Sequence, residues 1–507
     1  MQYNNLGFNN EKYIEEQTDA IRSRMERFDG KLYLECGGKL LFDYHASRVM
    51  PGFDPNAKMR VFHSFKELID VIICIYAGDI EKRKIRGDFG ITYDSDALKL
   101  IDDFTQWGLH ISGVVITRYN EQPSAQQFIN LLKRRGIQTY THQAARGYPT
   151  EIDVIVSDEG YGANSYIETQ RPIVIVTGPG PGSGKMATCL SQLYHDYRSN
   201  KKNSGYAKFE TFPIWNLPLK HPVNAAYEAA TADLGDVNQI DHFHLDAYQV
   251  KSVNYNRDLE AFPLLKRIIE KITDDTSWYK SPTDMGVNQC GAGIIDDVIV
   301  QQAAKQEIIR RYYRASCEYA MGIGTRETID RIKLLMDELN LTPEDRSMVS
   351  AAKLARREAK EKGKGKDGIV CAAALMLNDG TIITGANSNI LHASSALILN
   401  TVKYLAAIPQ LIDIIPKSIM DSIQLLKKNV LTGRRISLDL DEVLIALAMS
   451  ASINPSAEAA MEQLKKLKGT EVHLTHIPSP GDEAGLRKLG INVTSEPFFA
   501  TNMLLDE

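Results

Sequence analysis

Pro172-Ile-Val-Ile-Val-Thr-Gly178-Pro-Gly180-Pro-Gly182-Ser-Gly184-Lys185-Met-Ala-Thr188 is the stretch on which the fold turns. An apolar, β-branched run enters a loop with four glycines and a lysine. Met186, Leu190, Leu193 and Tyr194 then recur at helical spacing. Strand, glycine loop and helix in that order make an anion site: glycines let backbone amides turn toward a ligand, and a helix N-terminus adds partial positive charge. The candidate binding residues are Gly178, Gly180, Gly182, Ser183, Gly184 and Lys185. The stretch departs from a strict Walker loop, because Pro179 stands where the first glycine belongs and Met186 replaces the hydroxyl that holds Mg²⁺. The competing reading is a tight turn whose glycines serve packing alone, and Lys185 with four glycines exceeds what a turn requires.

Working outward, Val71–Tyr76, Gly113–Thr117, Ile152–Val156 and Pro172–Val176 are short and apolar on both faces, as buried parallel strands are. Ile137–Tyr140 is a further candidate, and Ser124–Arg135 carries a helical stripe of Phe128, Leu131 and Leu132. Phe209–Ile214 and His242–Leu245 also read as strands. The alternation predicts an α/β fold with a mostly parallel sheet. From Asp258 the pattern turns helical, with Leu264, Leu265, Ile268, Ile269 and Ile272 on one stripe and further helices near Gly293, Thr325 and Thr342. Alternating Lys and Gly within Lys353–Gly368 mark a solvated helix end and a linker. Beyond it, Ile369–Met376 and Thr381–Ala386 flank Asn378-Asp379-Gly380, a hairpin signal, and Glu471–His476 is a later strand. The expected division is an α/β P-loop-like domain over 1–257, a helical subdomain and linker over 258–365, and a smaller C-terminal α/β domain over 366–507.

Bulk properties exclude several classes. A chain of 507 residues, 43% hydrophobic and 24% charged, is that of a folded protein of about three domains. A net charge of −5 argues against a nucleic-acid partner. Six scattered cysteines without CxxC spacing point to reduced thiols rather than a zinc or redox motif. The apolar stretch Ala396–Ile415 is interrupted by Asn400, Lys403, Pro409 and Asp413, which argues against a membrane span, and Met1–Phe8 lacks the basic start and apolar core expected of a signal peptide. The expectation is a cytoplasmic protein, with homo-oligomerisation plausible from size.

Several polar clusters are candidates for chemistry. Asp158, Glu159 and Asn164 follow an expected strand, where ligands collect in parallel sheets. In Asp241-His-Phe-His-Leu-Asp246, His242 and His244 would share a strand face, and Asp241 or Asp246 would orient Mg²⁺ or a nucleophile. The half-buried strand is the plainer reading. Ser281-Pro-Thr-Asp-Met-Gly-Val-Asn-Gln-Cys-Gly291 is a polar loop between helices, with Asp284 and Asn288 as candidates. Lys82-Arg-Lys-Ile-Arg86 is a basic cluster that would hold an anion or simply be solvated.

The glycine loop, Ser281-Pro-Thr-Asp-Met-Gly286 and the Lys/Gly linker together resemble a conserved bacterial family of unknown function with a GPGPGSGK segment, over essentially the whole chain. That resemblance supports the boundaries and implies no reaction. The last domain, with Ile369–Ala386 followed by Asn387–Ala396 and a helix, resembles the hairpin-then-helix opening of cytidine-deaminase-like domains. Those enzymes need H-x-E and P-C-x-x-C; here Ala393 and Ser394 follow His392 and no cysteine follows Cys371, so no zinc is expected. The leading functional expectation is a nucleotide- or phosphate-dependent phosphotransferase or ligase acting on a small molecule, using ATP or another nucleotide with Mg²⁺. Lys185 would stabilise phosphate charge, and Asp241 and Asp246 complete the catalytic set. The alternative is a non-catalytic protein that senses a phosphorylated metabolite.

Overall fold

The structure, a computed structural model, describes residues 6–86, 90–198, 203–276, 278–431 and 436–501. Contacts divide the chain into two compact units: Leu6–Glu228 with Gly235–Ala304, and Ala229–Leu234 with the chain from Lys305 onward.

The first unit is built on six strands: β1 (Leu32–Cys36), β2 (Ile69–Tyr76), β3 (His110–Thr117), β4 (Thr139–His142), β5 (Ile173–Thr177) and β6 (Gly205–Phe209). They lie in the order β4-β3-β2-β5-β1-β6, and every neighbouring pair is parallel. Both faces of the sheet are covered, which is why its central strands are apolar throughout. Leu32, Leu34, Ile173 and Ile175 face one core, while Tyr33, Val174 and Val176 face the other.

Helices α1 (Asn10–Met25), α2 (Tyr93–Gln106) and α3 (Pro123–Arg134) pack on the first face; α4 (Lys185–Arg198) and α5 (Asn256–Thr273) pack on the second. The reason is handedness. From β2 through β4 the chain steps one way along the sheet, and from β5 to β6 it steps the other way. Right-handed crossovers then put the connecting helices on opposite faces. The reversal falls between the neighbouring strands β2 and β5, so the crevice where open α/β sheets bind ligands lies at their carboxyl ends. Two short antiparallel pairs, Ile85–Arg86 with Ile91–Thr92 and β7 (Asn238–Ile240) with β8 (Val253–Tyr255), also belong to the unit.

The second unit holds β9 (Ala372–Met376), β10 (Ile382–Ala386), β11 (Glu471–Leu474) and β12 (Asn492–Ser495), in the order β10-β9-β11-β12. β9 is antiparallel to both neighbours, and β11 and β12 are parallel. Gly380, at φ +85°, sits in the β9–β10 turn, and the helix Ala393–Leu405 follows the hairpin. Ser347–Glu361 is helical, and the lysines that follow it at 362 and 364 are exposed.

Three local expectations fail. Ile152–Val156 is not a strand: Ile152–Ile155 forms one helical turn, with Ile155 and Val156 buried while Asp153 is exposed and pairs with Lys271 at 3.0 Å. Periodicity in so short a run does not separate strand from helix. Nor is His242–Leu245 a strand. His242–Tyr248 is a helix, because the Asp241 side chain caps it by accepting from the His244 amide at 3.0 Å. The run expected at Phe209–Ile214 lies earlier, at Gly205–Phe209. From Asp258 onward, the helices fall in both units. Leu265, Ile268, Ile269 and Ile272 of α5 bury their stripe in the core of the parallel sheet.

All six cysteines are buried, and none is in a disulfide. Among the described residues no helix is long and apolar enough to cross a membrane.

Candidate functional site

The glycine loop leaves β5 at the crevice. Gly182 and Gly184 have φ of +73° and +91°, the left-handed region that glycine enters without a Cβ penalty. Left-handed residues alternating along a turn are how a nest of backbone amides is built. Gly178 and Gly180 serve close approach instead. A Cβ on Gly178 would lie 2.2 Å from the Cys74 carbonyl oxygen, and one on Gly180 would lie 2.6 Å from the Tyr93 hydroxyl. Neighbouring strands hold the rest. Thr117 Oγ1 donates to the Ser183 carbonyl at 2.8 Å, and the Arg118 guanidinium donates to the Gly182 carbonyl while stacking 3.4 Å from the Tyr76 ring centroid. Lys185 opens α4 and folds back over the loop: its Nζ donates to the Gly180 carbonyl at 3.3 Å and to Ser183 Oγ at 3.5 Å.

Register links this loop to a second feature. Glu35 of β1 is level with Val176 of β5, and Cys36 with Phe209 of β6. One residue further on, Gly178, Gly37 and Glu210 follow on three adjacent strands. Two strand spacings of about 4.8 Å put Gly178 and Glu210 roughly 10 Å apart. No side chain intervenes at Gly37: a Cβ there would lie 2.1 Å from Glu210 Oε1. Burial pushes the Cys36 thiol up; Lys58 and Lys185 oppose that shift, while Glu35 and Glu210 add to it. The end of β1 therefore lies in the fields of both Lys185 and Glu210.

Glu210 lines a cavity of about 180 Å³ beside β6. The segment Ser281–Asn288 forms its far wall, because Val287 N donates to the Lys208 carbonyl at 3.0 Å and lays the segment along the sheet edge. Lys208 Nζ reaches Asp258 Oδ1 at 2.7 Å, with side chains 19% and 13% exposed. Burial alone would drive the Lys208 ammonium down, yet Asp258 and Glu210 outweigh it and hold its pKa above the ordinary value. Glu210 is pushed up to about 7 by burial and by Asp258, against the pull of Lys208. Asn288 Oδ1 accepts from the Glu210 amide at 2.7 Å, and Trp215 Nε1 donates to the Asn288 carbonyl at 3.0 Å.

The family model described as domain of unknown function DUF1846, N-terminal, matches residues 6–340, and its C-terminal counterpart matches 344–505. The chain belongs to the DUF1846 family. A UPF0371 protein of Clostridium tetani (strain Massachusetts / E88) is 56% identical over 499 residues, covering 98% of this chain and 99% of the relative. One from Clostridium botulinum (strain Kyoto / Type A2) is equally similar over the same coverage. Another, from strain Alaska E43 / Type E3, is 54% identical over 500 residues. The family is thus a conserved bacterial one of unknown function, and the similarity runs through both units of this DUF1846 chain.

The residues singled out in the sequence fall into three groups. Gly178, Gly180, Gly182, Ser183, Gly184 and Lys185 form the loop at the crevice, and Asp284 and Asn288 line the cavity. Asp241 is fully buried and spent on structure: besides its cap, it accepts from Thr283 N at 3.1 Å and Thr283 Oγ1 at 2.6 Å. These bonds hold the wall of the cavity. Asp246 is exposed on the same short helix. Asp158 accepts from the Tyr194 hydroxyl at 2.8 Å, Glu159 pairs with Arg146 at the surface, and Asn164 latches the Gln143 amide at 2.8 Å. In the basic cluster Arg86 pairs with Asp96 at 2.6 Å and Lys84 lies 4.9 Å from the Tyr93 ring centroid, so much of its charge is used internally.

Lys208, Glu210, Asp258 and His244 of the cavity were not grouped by sequence reasoning. A signal existed. Lys208 and Glu210 are charged residues at alternate positions around Phe209, at the end of an otherwise apolar stretch, and charge inside a buried strand calls for an explanation.

Proposed function

We propose that this protein is a nucleotide- or phosphate-binding enzyme, a phosphotransferase or ligase acting on a small molecule, with the anion seated on Gly178–Lys185. The observation that carries the reading is the position of Lys185 Nζ over the Gly180 carbonyl and Ser183 Oγ, at the N-terminus of α4 and at the switch point of the sheet. A phosphate there would meet an ammonium, loop amides and the positive end of a helix dipole. Phosphoryl transfer asks chiefly for such positioning and charge stabilisation.

The residues do not fit Mg²⁺ in the manner of a Walker loop. Met186 follows the lysine, and Thr188 Oγ1 accepts from Cys74 Sγ at 3.4 Å in the core. Among the described residues no group of three or more His, Cys, Asp or Glu is placed to hold a metal ion. Met186 in place of the Walker hydroxyl favours a second reading, a protein that senses a phosphorylated metabolite without turning it over.

Thermal unfolding with inorganic phosphate, ATP, GTP and sugar phosphates, each with and without Mg²⁺, tests the loop. A ligand at a hundredfold excess over its Kd stabilises by about 2.7 kcal/mol. The expected result is a shift that vanishes in Lys185→Ala; an equal shift in that variant, or none in the parent, overturns the anion site. Turnover of the shifting ligand separates enzyme from sensor.

A further inference from the structure

The cavity beside β6 differs from the loop in charge and in lining. Its cations are already committed: Lys208 to Asp258 at 2.7 Å, and Arg24 to the carbonyls of Asp284, at 2.8 Å, and Gly286, at 3.3 Å. Three carboxylates, Glu210, Asp258 and Asp284, line the same space against these two cations, so it offers no excess positive charge to an anion. Asp284 is held by the Tyr248 hydroxyl at 3.0 Å and the Lys280 amide at 3.1 Å.

What remains for a ligand is mixed. The Glu210 carboxylate forms no hydrogen bond or ion pair among the described residues, and its backbone is fixed by Asn288. His244 turns Nδ1 to Ser281 Oγ at 2.9 Å, which leaves Nε2 for another partner. Asn254 uses its Oδ1 on the Tyr255 amide, which leaves its NH₂. Acceptor, imidazole and amide donor together complement hydroxyl groups, which both donate and accept. Trp215, Pro213 and Val253 supply apolar wall. At about 180 Å³ the space is smaller than a drug-sized site and suits a single compact ring.

We infer that this cavity binds a small, neutral, polyhydroxylated molecule of the size of one sugar ring, with Glu210 accepting from one of its hydroxyls. Its place as the acceptor substrate rests on the anion reading proposed above; binding itself does not. Glu210 and Gly178 are separated by Gly37 alone along the sheet edge, so a molecule held by Glu210 lies next to an anion held by the loop.

The test is saturation-transfer NMR on the full chain with glucose, galactose, myo-inositol and glycerol as probes. At least one probe is expected to bind, with affinity reduced tenfold or more in Glu210→Ala and in His244→Phe, and unchanged within twofold in Lys185→Ala. Both cavity variants are checked for a cooperative melt, and either one that folds suffices. Three results overturn the inference: no probe binds the parent, binding survives in the folded cavity variants, or it is lost in Lys185→Ala. Since phosphate-linked stabilisation reads the loop separately, failure of one site is distinguishable from failure of the other.

Discussion

The glycine loop and the cavity beside β6 lie on one edge of one sheet, yet they are built in opposite ways. The loop is a contiguous segment whose residues act mostly through their backbones, and strands β2 and β3 brace it with Cys74, Thr117 and Arg118. The cavity is made of side chains from β6, β8, α5, the helix His242–Tyr248 and Ser281–Asn288, none of which encloses a volume alone. A local motif demands glycine where the chain bends or approaches. A composite site demands long-range anchors, and Asp241 and Asn288 supply them.

Substitutions that touch the backbone of the loop sharpen that contrast most. Gly178→Ala drives a Cβ against the Cys74 carbonyl, which cannot swing aside as a side chain would. A loss of about 4 kcal/mol or more, enough to compromise folding, is expected. Gly182→Ala meets no atom within 4 Å and bears only the left-handed backbone, costing about 1 kcal/mol. Equal losses in urea unfolding would mean that the loop is not braced as described.

Next in size is Asp241→Ala, which strands the His244 amide and both Thr283 donors. About 3 kcal/mol is expected from buried groups left unpaired. A loss under about 1 kcal/mol would show that Ser281–Asn288 is held without this anchor, and the composite account of the cavity would fall.

The two ends of the sheet edge also differ in pH response. Burial holds His142, at the end of β4, down at about 4 while its Nε2 donates to the Ser165 carbonyl at 2.9 Å. The unfolded chain, titrating near 6.5, therefore takes up the proton first. The stability contributed is present above pH 6.5 and lost as pH falls through about 4, on the order of 3 kcal/mol in all. Glu210 runs the other way. Its folded pKa of about 7 exceeds the ordinary 4.5, so its contribution is present below pH 4.5 and is lost as pH rises through about 7. Urea unfolding from pH 4 to 8 should show the acid limb flattened in His142→Gln and the upper limb flattened in Glu210→Gln. A variant that leaves its own limb unchanged refutes the assigned environment.

How much of this was legible in the sequence follows the same division. β2, β3 and β5 were readable because burial on both faces makes a strand apolar throughout. β1, Leu32-Tyr-Leu-Glu-Cys36, was not, although it is the strand between loop and cavity: five residues ending in Glu35 and Cys36 carry too little pattern. Ile152–Val156 looked like its neighbours and is helical, since its apolar residues cover one side only. Asp241-His-Phe-His read as alternation, and a single cap bond turned it into helix.

The sequence by itself determined the class of fold, the glycine loop with Lys185, and the membership of Asp284 and Asn288 in a polar segment of unusual composition. Those are local properties, set by periodicity and by residues whose backbone freedom is peculiar to them. Only the tertiary structure decided that β1 lies between β5 and β6, that Asp241 ties the His242–Tyr248 helix to Thr283, and that Lys208, Glu210, Asp258 and His244 share a cavity. Strand order depends on crossovers spanning many residues, and proximity between distant positions leaves no period in a chain to be read.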